Sequence, residues 1–380
     1  MSHHHHKPCI AIDARMIRHS GIGVFLSEVL RRWASDPPPF RLKLYGSVRL
    51  LEEFVPHGLD AEFDEWNPPV YSISAALSPP RFREKVDAWY SPHYATCLRV
   101  GVPLVCHVQD VLHHSHPSKT GHRVYSRMYL RALQATASFV LTTTRHVKVQ
   151  LQTLYGFDAA KVLCTGAGPG VVEAHLNSNT PVPRELERRE YLLAVGIYKP
   201  HKNWEFLLER LNGMRDVKLP IACAGLGDNG PKLRELAQHM NLKNEMILLP
   251  PLNPEQLTSV YKQATALLFP SIAEGFGLPI LEAMATGTPV LIADRSPMKE
   301  IAEGSAFTFK PDYAETFDNA LRILLNDREA RDRYVAAGLK RAKLCSWDRT
   351  ARHVQDALMR TVTGKLPLMR IFPQSTRPIA

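Results

Sequence analysis

Two carboxylates flank a glycine-rich turn in the segment 269–290, FPSIAEGFGLPILEAMATGTPV. Glu274 precedes the turn, and the pattern places Glu282 in the first turn of a predicted helix. Gly275 and Gly277 allow the backbone to approach a ligand closely because they have no side chain. Ionised carboxylates only accept hydrogen bonds, so Glu274 and Glu282 suit the hydroxyl groups of a sugar.

The backbone between the two carboxylates is suited to an anion. Pro279 favours a helix that begins at that residue, since the first helical position needs no N–H donor. The amides of Gly275, Phe276, Gly277 and Leu278 would then lie at the helix start, where the helix dipole is positive. An anion in the middle and hydroxyl groups at both ends describe a sugar joined to a nucleoside diphosphate.

Cationic side chains follow another predicted strand, 191–195. The strand leads into Gly196, and Lys199, His201 and Lys202 come shortly after it. Open parallel sheets bind ligands at the carboxyl ends of their strands, and cations stabilise the charge of a departing diphosphate. We therefore predict that Lys202 contacts the diphosphate, with Lys199 or a protonated His201 as a further cation.

Two more glycine-containing turns follow predicted strands. Gly21 and Gly23 lie between the first strand and a predicted helix, 25–33, and Gly225 follows the strand 221–224. Glycines are common in tight turns, so these positions alone are weak indications. Their place at strand ends makes them candidates for contact with the nucleotide.

Polar side chains occur at the end of the predicted strand 104–108 and directly after it. They are His107, Gln109 and Asp110. Side chains alternate along a strand, so His107 and Gln109 would point to the same side and either could face a sugar. A buried histidine is the alternative for His107. A glutamine can bond to a hydroxyl group but cannot act as a general base.

Short apolar runs alternate with helix-length amphipathic segments in both halves of the chain, which favours parallel sheets built from strand-helix-strand units. The predicted strands of the first half are 8–12, 42–45, 88–90, 104–108, 139–142 and 162–165. Those of the second half are 191–195, 221–224, 246–249, 266–269, 290–293 and 306–309. The polar segment 173–189 between them contains prolines and is a candidate linker.

The segment around Glu274 and Glu282 resembles the signature of retaining glycosyltransferase family 4, in which seven residues separate two glutamates and the second opens a helix. Pro270, Ser271 and the run 283–290 match as well. The resemblance covers the chain to about residue 360. It implies an α/β protein of the GT-B fold, in which two Rossmann-like parallel-sheet domains face each other across a cleft.

The same resemblance implies the domain limits. Residues 1–178 would form the domain that binds the acceptor, and residues 185–344 the domain that binds the nucleotide sugar. A helix at 345–362 would cross back onto the first domain, and 363–380 would be an irregular tail.

The resemblance also assigns roles to residues. Lys202 and the amides of 275–278 would hold the diphosphate, Glu282 the ribose and Glu274 the transferred sugar. The loop with Gly21 and Gly23 would lie under the diphosphate. We expect Lys202 and Glu282 to line a solvent-accessible surface.

The sequence departs from the family at two places. The family's Arg-Lys-Asn triplet here reads His201-Lys202-Asn203, which replaces one cation by a histidine. Relatives have a histidine before the residue that matches Asp110, near the outer hydroxyls of the donor sugar, and Gln109 occupies that position here.

Composition limits the location and the chemistry. The six cysteines are scattered without a C-x-x-C pair, so neither a disulfide framework nor a zinc site is expected. The apolar run 9–12 is too short for a signal peptide, and no stretch of about 18 apolar residues occurs, so we expect a cytoplasmic protein. His3–His6 is interpreted as a tag remnant or a disordered end. The net charge of +10 does not by itself indicate nucleic-acid binding.

The charge is unevenly distributed, since residues 111–157 contain no Asp or Glu. Arg123, Arg127 and Arg131 are spaced to share one face of a helix. Such a face suits an anionic membrane surface or the diphosphate of a lipid-linked acceptor, and an ordinary solvated face is the alternative. A peripheral position at the inner face of a membrane is a further prediction.

The predicted function is transfer of a hexose from a nucleoside diphosphate to a hydroxyl group of a glycan, with GDP-mannose as the favoured donor and a lipid-linked acceptor favoured. The resemblance is to bacterial GDP-mannose-dependent mannosyltransferases of polysaccharide assembly, and it implies a retaining reaction without metal or cofactor. One alternative is a sugar-nucleotide epimerase of the GT-B fold. The other is a catalytically silent subunit that binds nucleotide sugars.

Overall fold

The structure is a computed structural model that describes residues 7–116, 120–242 and 244–364. The contacts divide it into two units. Unit 1 contains the described residues up to Ala167 and those from Trp347 onward, and unit 2 contains Gly168–Ser346. His3–His6 and the part of the predicted tail from residue 365 lie outside the described residues.

Unit 1 is built on a seven-stranded parallel sheet with the strand order β3-β2-β1-β4-β5-β6-β7. Its strands are β1 Cys9–Asp13, β2 Arg41–Gly46, β3 Ala61–Glu65, β4 Ala88–Ser91, β5 Leu104–His107, β6 Ala137–Thr142 and β7 Val162–Cys164. Its helices are α1 Ser20–Ser35, α2 Val48–Phe54, α3 Ile73–Leu77, α4 Leu112–Ser115, α5 Thr120–Thr136, α6 Arg145–Tyr155 and α14 Trp347–Thr363.

The core of unit 1 lies where helices cover the sheet. β1, with the sequence CIAID, is buried along its whole length, as expected of a central parallel strand. α14 packs against α1 and against β4, β5 and β6. Phe25 and Trp347 join the two helices, with ring centroids 5.7 Å apart in edge-to-face geometry. The last helix is therefore part of the core of unit 1.

Unit 2 is built on a six-stranded parallel sheet with the order β10-β9-β8-β11-β12-β13. Its strands are β8 Leu192–Val195, β9 Ile221–Ala224, β10 Met246–Leu248, β11 Ala266–Phe269, β12 Val290–Ala293 and β13 Phe307–Phe309. Its helices are α7 Trp204–Gly213, α8 Gly230–His239, α9 Pro254–Gln263, α10 Leu278–Ala285, α11 Met298–Ala302, α12 Ala314–Asn326 and α13 Arg328–Leu344. The two parallel sheets confirm the predicted α/β architecture of two Rossmann-like domains.

Some elements differ from the sequence-based expectations. β3 was not predicted, because its sequence AEFDE is charged and partly exposed at the edge of the sheet. α1 begins at Ser20 rather than at residue 25. The segment 173–189 is not featureless, since it contains parts of two 3₁₀ turns, Val172–His175 and Arg184–Leu186.

Candidate functional site

The strand order of unit 2 reverses between β8 and β11, and open parallel sheets leave a crevice for ligands at such a switch point. Lys202 follows β8 in the chain, and Glu274 follows β11. Lys202 Nζ donates a 2.7 Å hydrogen bond to Glu274 Oε1. The side chains of Lys202 and Glu274 are 14% and 9% exposed. The structure thus brings together two predicted site residues and keeps part of each accessible.

The Lys202 side chain has room because β8 is followed by glycine. Gly196 has a φ of +138°, and a Cβ on it would lie 3.4 Å from Lys202 Nζ. Gly225 packs beside it, since a Cβ on Gly225 would lie 3.5 Å from the Gly196 nitrogen. The centroid of the Phe269 ring lies 5.2 Å from Lys202 Nζ, within the range of a cation–π contact. An ammonium has three donors, so the bond to Glu274 leaves capacity for a phosphate.

The two loops of this site are also joined through their main chains. The Ile272 N–H donates a 2.9 Å hydrogen bond to the His201 carbonyl, and the Lys202 N–H donates one of 2.9 Å to the Lys199 carbonyl. His201 is 8% exposed, whereas Lys199 is exposed. Of the two further cations predicted beside Lys202, the structure therefore exposes Lys199 and buries His201.

The glycine-rich turn leads into α10. Gly277 precedes the helix with a φ of +95°, and a Cβ on it would lie 3.3 Å from Ile280 Cδ1, so a larger residue would be strained and crowded. Gly275, Phe276 and Leu278 are partly exposed beside it. The N-cap residue Gly277 has no side chain that could bond to the amides of the first helical turn. The amides of the first turn and the positive end of the dipole are therefore suited to an anion. The helix begins at Leu278, so Pro279 is its second residue rather than its first.

Glu282 is buried, and the expectation of an accessible carboxylate in the first helical turn is wrong. It is the fifth residue of α10 and is 6% exposed. Tyr261 donates a 2.7 Å hydrogen bond to Glu282 Oε2, and the Val171 amide also bonds to the carboxylate. Gly170, with a φ of +57°, passes so close that a Cβ on it would lie 1.8 Å from Glu282 Oε1. Burial raises the pKa of Glu282 to about 7, although the bonds from Tyr261 and Val171 act in the opposite direction.

Three residues around Glu282 were not predicted from the sequence. Tyr261 lies on α9 and is fully buried, and Gly170 and Val171 lie more than a hundred residues before Glu282 in the chain. No local motif links these positions, because only the packing of α9 and α10 brings them together. Tyr261 within an amphipathic helix gave only the signal of a core residue.

Gly21 and Gly23 lie in the first turn of α1 and have different surroundings. A Cβ on Gly23 would lie 2.3 Å from the Ile17 carbonyl oxygen, so only glycine fits there. The nearest atom to a Cβ on Gly21 would be Gln109 Oε1, at 3.9 Å. The structure therefore brings Gly21 next to Gln109, whereas Gly23 allows the helix to pack closely on the preceding loop.

His107 and Gln109 occupy different environments, because β5 ends at His107 and the predicted alternation does not continue. His107 is fully buried, with its ring 4.4 Å from that of Phe25. Burial lowers its pKa to about 3, and neither ring nitrogen has a hydrogen-bond partner among the described residues. Gln109 and Asp110 are partly exposed, and Asp110 Oδ1 accepts a 2.9 Å hydrogen bond from the Leu112 N–H. The geometry matches the alternative of a buried histidine, and leaves Gln109 and Asp110 within reach of a ligand.

A second cation–carboxylate pair lies at the switch point of unit 1, between β1 and β4. Arg15 donates two hydrogen bonds to Asp13, of 2.8 and 2.7 Å, and both side chains are fully buried. Arg15 also donates to the carbonyls of Pro68 and Ala95, at 2.9 and 3.0 Å. Its guanidinium lies 4.1 Å from the centroid of the Trp66 ring. This pair was not predicted from the sequence, although its place at the end of the first strand was a signal.

Three features are absent from the described residues 7–116, 120–242 and 244–364. No group of three or more His, Cys, Asp or Glu side chains there is arranged to hold a metal ion. No helix in the same residues combines the length and the apolar character needed to cross a membrane. No disulfide bond joins the six cysteines, all of which are described.

The two Rossmann-like units with parallel sheets define the GT-B fold class that was predicted. The fold is shared with the solved structure of HepE from Anabaena in complex with UDP and glucose. The TM-score is 0.69 at 17% identity, and the match covers 93% of this chain and 99% of that one.

Residues 178–341 match the family model described as Glycosyl transferases group 1. This part of the chain is thus similar to a glycosyltransferase group 1 domain, and the predicted resemblance to glycosyltransferases is confirmed.

The sequence is also similar to curated proteins whose names state an activity, among them these two. O-antigen chain mannosyltransferase RfbU of Salmonella typhimurium is 28% identical over 227 residues, which are 60% of this chain and 62% of that protein. D-inositol 3-phosphate glycosyltransferase of Nocardia farcinica is 31% identical over 237 residues, 57% of this chain and 51% of that protein. The chain thus spans between half and two thirds of the length of these relatives.

Proposed function

We propose that this protein is a glycosyltransferase that moves a hexose from a nucleoside diphosphate to a hydroxyl group of a glycan. The observation that carries the proposal is the bonded pair Lys202–Glu274 at the switch point of unit 2, in the same glycine-rich region as the start of α10. A cation and backbone amides suit the diphosphate, and a carboxylate suits the sugar. The group 1 domain, 178–341, contains all of these residues.

The proposed reaction is the retaining substitution of the family that the signature resembles. The bond between sugar C1 and the phosphate oxygen breaks, and a bond from C1 to the acceptor oxygen forms on the same face. The proton of the acceptor goes to the leaving phosphate oxygen, so no enzyme base is required. This route fits the buried His107 and the non-basic Gln109. Lys202 and the amides of 275–278 stabilise the leaving diphosphate. Glu274 accepts hydrogen bonds from the hydroxyl groups of the transferred sugar.

Glu282 is proposed to bind the ribose despite its burial. A carboxylate offers about four acceptor positions, and the bonds from Tyr261 and Val171 use two of them. In this proposal, one of the remaining positions accepts a hydrogen bond from a ribose hydroxyl group. In this proposal, Tyr261 and Val171 hold the carboxylate in place before the donor arrives.

The finer proposal is transfer of mannose from GDP-mannose to a lipid-linked glycan. The similarity to an O-antigen chain mannosyltransferase supports it. A uridine nucleotide donor is the second candidate, because the structural relative HepE was solved with UDP and glucose. A phosphorylated inositol acceptor is the corresponding alternative, named in the second relative.

The deciding experiment incubates the purified protein with GDP-mannose or UDP-glucose, with and without a lipid extract, in excess chelator. We expect consumption of GDP-mannose only when the acceptor is present, with Lys202→Ala as the inactive control. Conversion of the sugar nucleotide without an acceptor would indicate an epimerase. Thermal stabilisation by nucleotides without any conversion would indicate a silent subunit. Complete loss of transfer in chelator, restored by Mg²⁺ or Mn²⁺, would contradict the metal-independent reaction.

We also propose that α5 contacts an anionic membrane. Arg123, Arg127 and Arg131 are exposed on this helix. Val124 and Met128 on the same helix are 60% and 68% exposed. Exposed apolar and basic side chains together are typical of helices that lie on a charged bilayer surface.

Replacing the three arginines of α5 by glutamine should weaken the free energy of binding to phosphatidylserine vesicles by roughly 1 kcal/mol per residue. Co-sedimentation with the vesicles measures this change. The matched control replaces Arg333, Lys340 and Lys343 of unit 2, which are also exposed, and should leave binding nearly unchanged. Vesicle binding that is equal in both triple variants and insensitive to salt would reject the membrane contact.

A further inference from the structure

A cluster of aromatic rings lies at one edge of the sheet of unit 1, and the proposed chemistry does not use it. The ring centroid of Tyr71 lies 6.0 Å from that of Tyr94, 5.9 Å from His113 and 6.3 Å from Tyr125, each in edge-to-face geometry. Tyr129 lies behind them, 6.3 Å from Tyr94 and 5.3 Å from Tyr125. Such mutual contacts hold the rings in defined orientations.

The cluster lies at the ligand-binding edge of the sheet. Tyr71 follows β3, Tyr94 follows β4 and His113 follows β5, so the three rings come from carboxyl ends of parallel strands. β4 is also one of the two strands of the switch point in unit 1. Open parallel sheets bind their ligands outside this point.

Tyr71 is the exposed member of the cluster and is held in a strained conformation. It is 41% exposed and has a φ of +64°, which is unfavourable for a residue with a large side chain. Its loop is fixed on both sides, because Arg15 donates to the Pro68 carbonyl and Ser72 Oγ donates to the Pro69 carbonyl. Strained residues persist where the surroundings impose them, and they concentrate at ligand sites.

Polar groups accompany the rings. Burial and the nearby Asp110 carboxylate raise the pKa of Tyr71 to about 12, so its hydroxyl group remains a donor at neutral pH. Asp110 is partly exposed. The Tyr125 hydroxyl group has no hydrogen-bond partner among the described residues.

This combination matches the two sides of a pyranose ring. The C–H face of a sugar packs on the electron-rich face of an aromatic ring, and its hydroxyl groups need donors and acceptors around the rim. We propose that Tyr71, supported by Tyr94 and Tyr125, is the stacking platform for a pyranose of the acceptor, whose hydroxyl groups bind Asp110. This inference rests on the proposed transfer function and assigns the acceptor sugar to this surface of unit 1.

The test compares Tyr71→Ala with Tyr313→Ala, which removes a tyrosine of 58% exposure from unit 2. Methyl α-D-mannopyranoside is the probe in saturation-transfer NMR with the full chain, so no transfer reaction is needed. We expect saturation of the glycoside protons in the wild type and in Tyr313→Ala, and its loss in Tyr71→Ala. Tyr71→Phe should retain it, because the ring remains. Tyr71→Gly removes the ring at a position whose positive φ glycine adopts without strain. Its urea unfolding is compared with that of the wild type, so that binding lost by a folded Tyr71→Gly protein is assigned to the ring.

Transfer kinetics give the second measurement. Tyr71→Ala should raise the acceptor KM by about tenfold, as expected from the loss of one ring contact, and leave the donor KM unchanged. Glycoside saturation that is equal in the wild type and Tyr71→Ala, or absent from the wild type, overturns the platform. A raised donor KM, or lost stabilisation by GDP, in Tyr71→Ala also overturns it and assigns the ring to the donor. Tyr71-dependent glycoside binding without any transfer would support the platform and reject the proposed enzyme.

Discussion

Each unit places a cation and a carboxylate at the switch point of its sheet, with an aromatic ring beside the cation. In unit 2 the pair is Lys202 and Glu274, which share one hydrogen bond and keep some surface exposed. In unit 1 it is Arg15 and Asp13, which are fully buried, and Arg15 donates to two carbonyl groups as well. In our proposal, the same sheet topology and the same charges serve a ligand in unit 2 and the fold in unit 1. Spare donors and exposed surface separate the two cases.

The largest expected effect concerns Arg15. Arg15→Met leaves Asp13 buried without its main partner, and breaking such a pair costs roughly 3–5 kcal/mol. Burial raises the pKa of Asp13, but His93 and Arg15 outweigh it and hold the pKa below its ordinary value, so the carboxyl group is charged. Urea unfolding should show this loss, and Lys202→Met should lose clearly less. Equal losses would mean that both pairs are structural.

The next effect concerns catalysis at Lys202. Lys202→Ala removes the charge that we propose to act on the leaving diphosphate, so kcat should fall by about 10²–10³, as for loss of one transition-state donor. Lys218→Ala is the matched control, since Lys218 is also exposed in unit 2 but precedes the first residue of β9. Steady-state kinetics of both variants measure the difference. A folded Lys202→Ala protein with unchanged kcat would remove the pair of unit 2 from the ligand site.

The third effect concerns the pH dependence of stability through Glu282. The folded protein binds a proton here below about pH 7, whereas the unfolded chain does so only below the ordinary value of 4.5. Unfolding therefore releases a proton between these values, and the free energy of unfolding falls by up to about 3 kcal/mol as the pH rises from 4.5 to 7. Glu282→Gln should remove this slope in denaturant titrations. Glu235→Gln, at an exposed position of α8, should preserve it, and a slope that survives in Glu282→Gln would assign it to other groups.

The smallest effect separates the two glycines of α1. Gly23→Ala places a methyl group against the Ile17 carbonyl and should cost roughly 1–3 kcal/mol, typical of overpacking. Gly21→Ala meets nothing within 3.9 Å and should change thermal stability little. The same stability in both variants would mean that the loop before α1 yields to the methyl group. In that case, unit 1 would be less tightly specified than the structure indicates.

The site in unit 2 was largely predictable from the sequence, because its parts follow strand ends and lie in short motifs. Glu274, the glycine turn and Lys202 belong to two segments, and parallel sheets bring such segments together by topology. The bond between Lys202 and Glu274 was not predicted, since two residues with separate assigned roles gave no sign of mutual contact. The burial of Glu282 was missed because its partners Tyr261 and Val171 depend on helix packing.

Unit 1 was less predictable for physical reasons. Arg15 and Asp13 lie two residues apart without a motif, and their partners Pro68 and Ala95 are reached only through the fold. The strand alternation used for His107 and Gln109 failed because β5 ends one residue after Cys106, where the chain leaves the sheet. The aromatic cluster around Tyr71 joins the loops after β3 and β4 to helices α4 and α5, which no local pattern connects.

The main-chain bond from Ile272 to the His201 carbonyl has a consequence for how this sequence can vary. The loop that carries Lys202 and the loop that carries Glu274 are joined by backbone atoms, which every residue type except proline at position 272 supplies. The side chain at position 201 is therefore not needed for this bond between the two loops. A histidine or an arginine at position 201 is compatible with this link, so evolution can change the charge at that position independently of the scaffold.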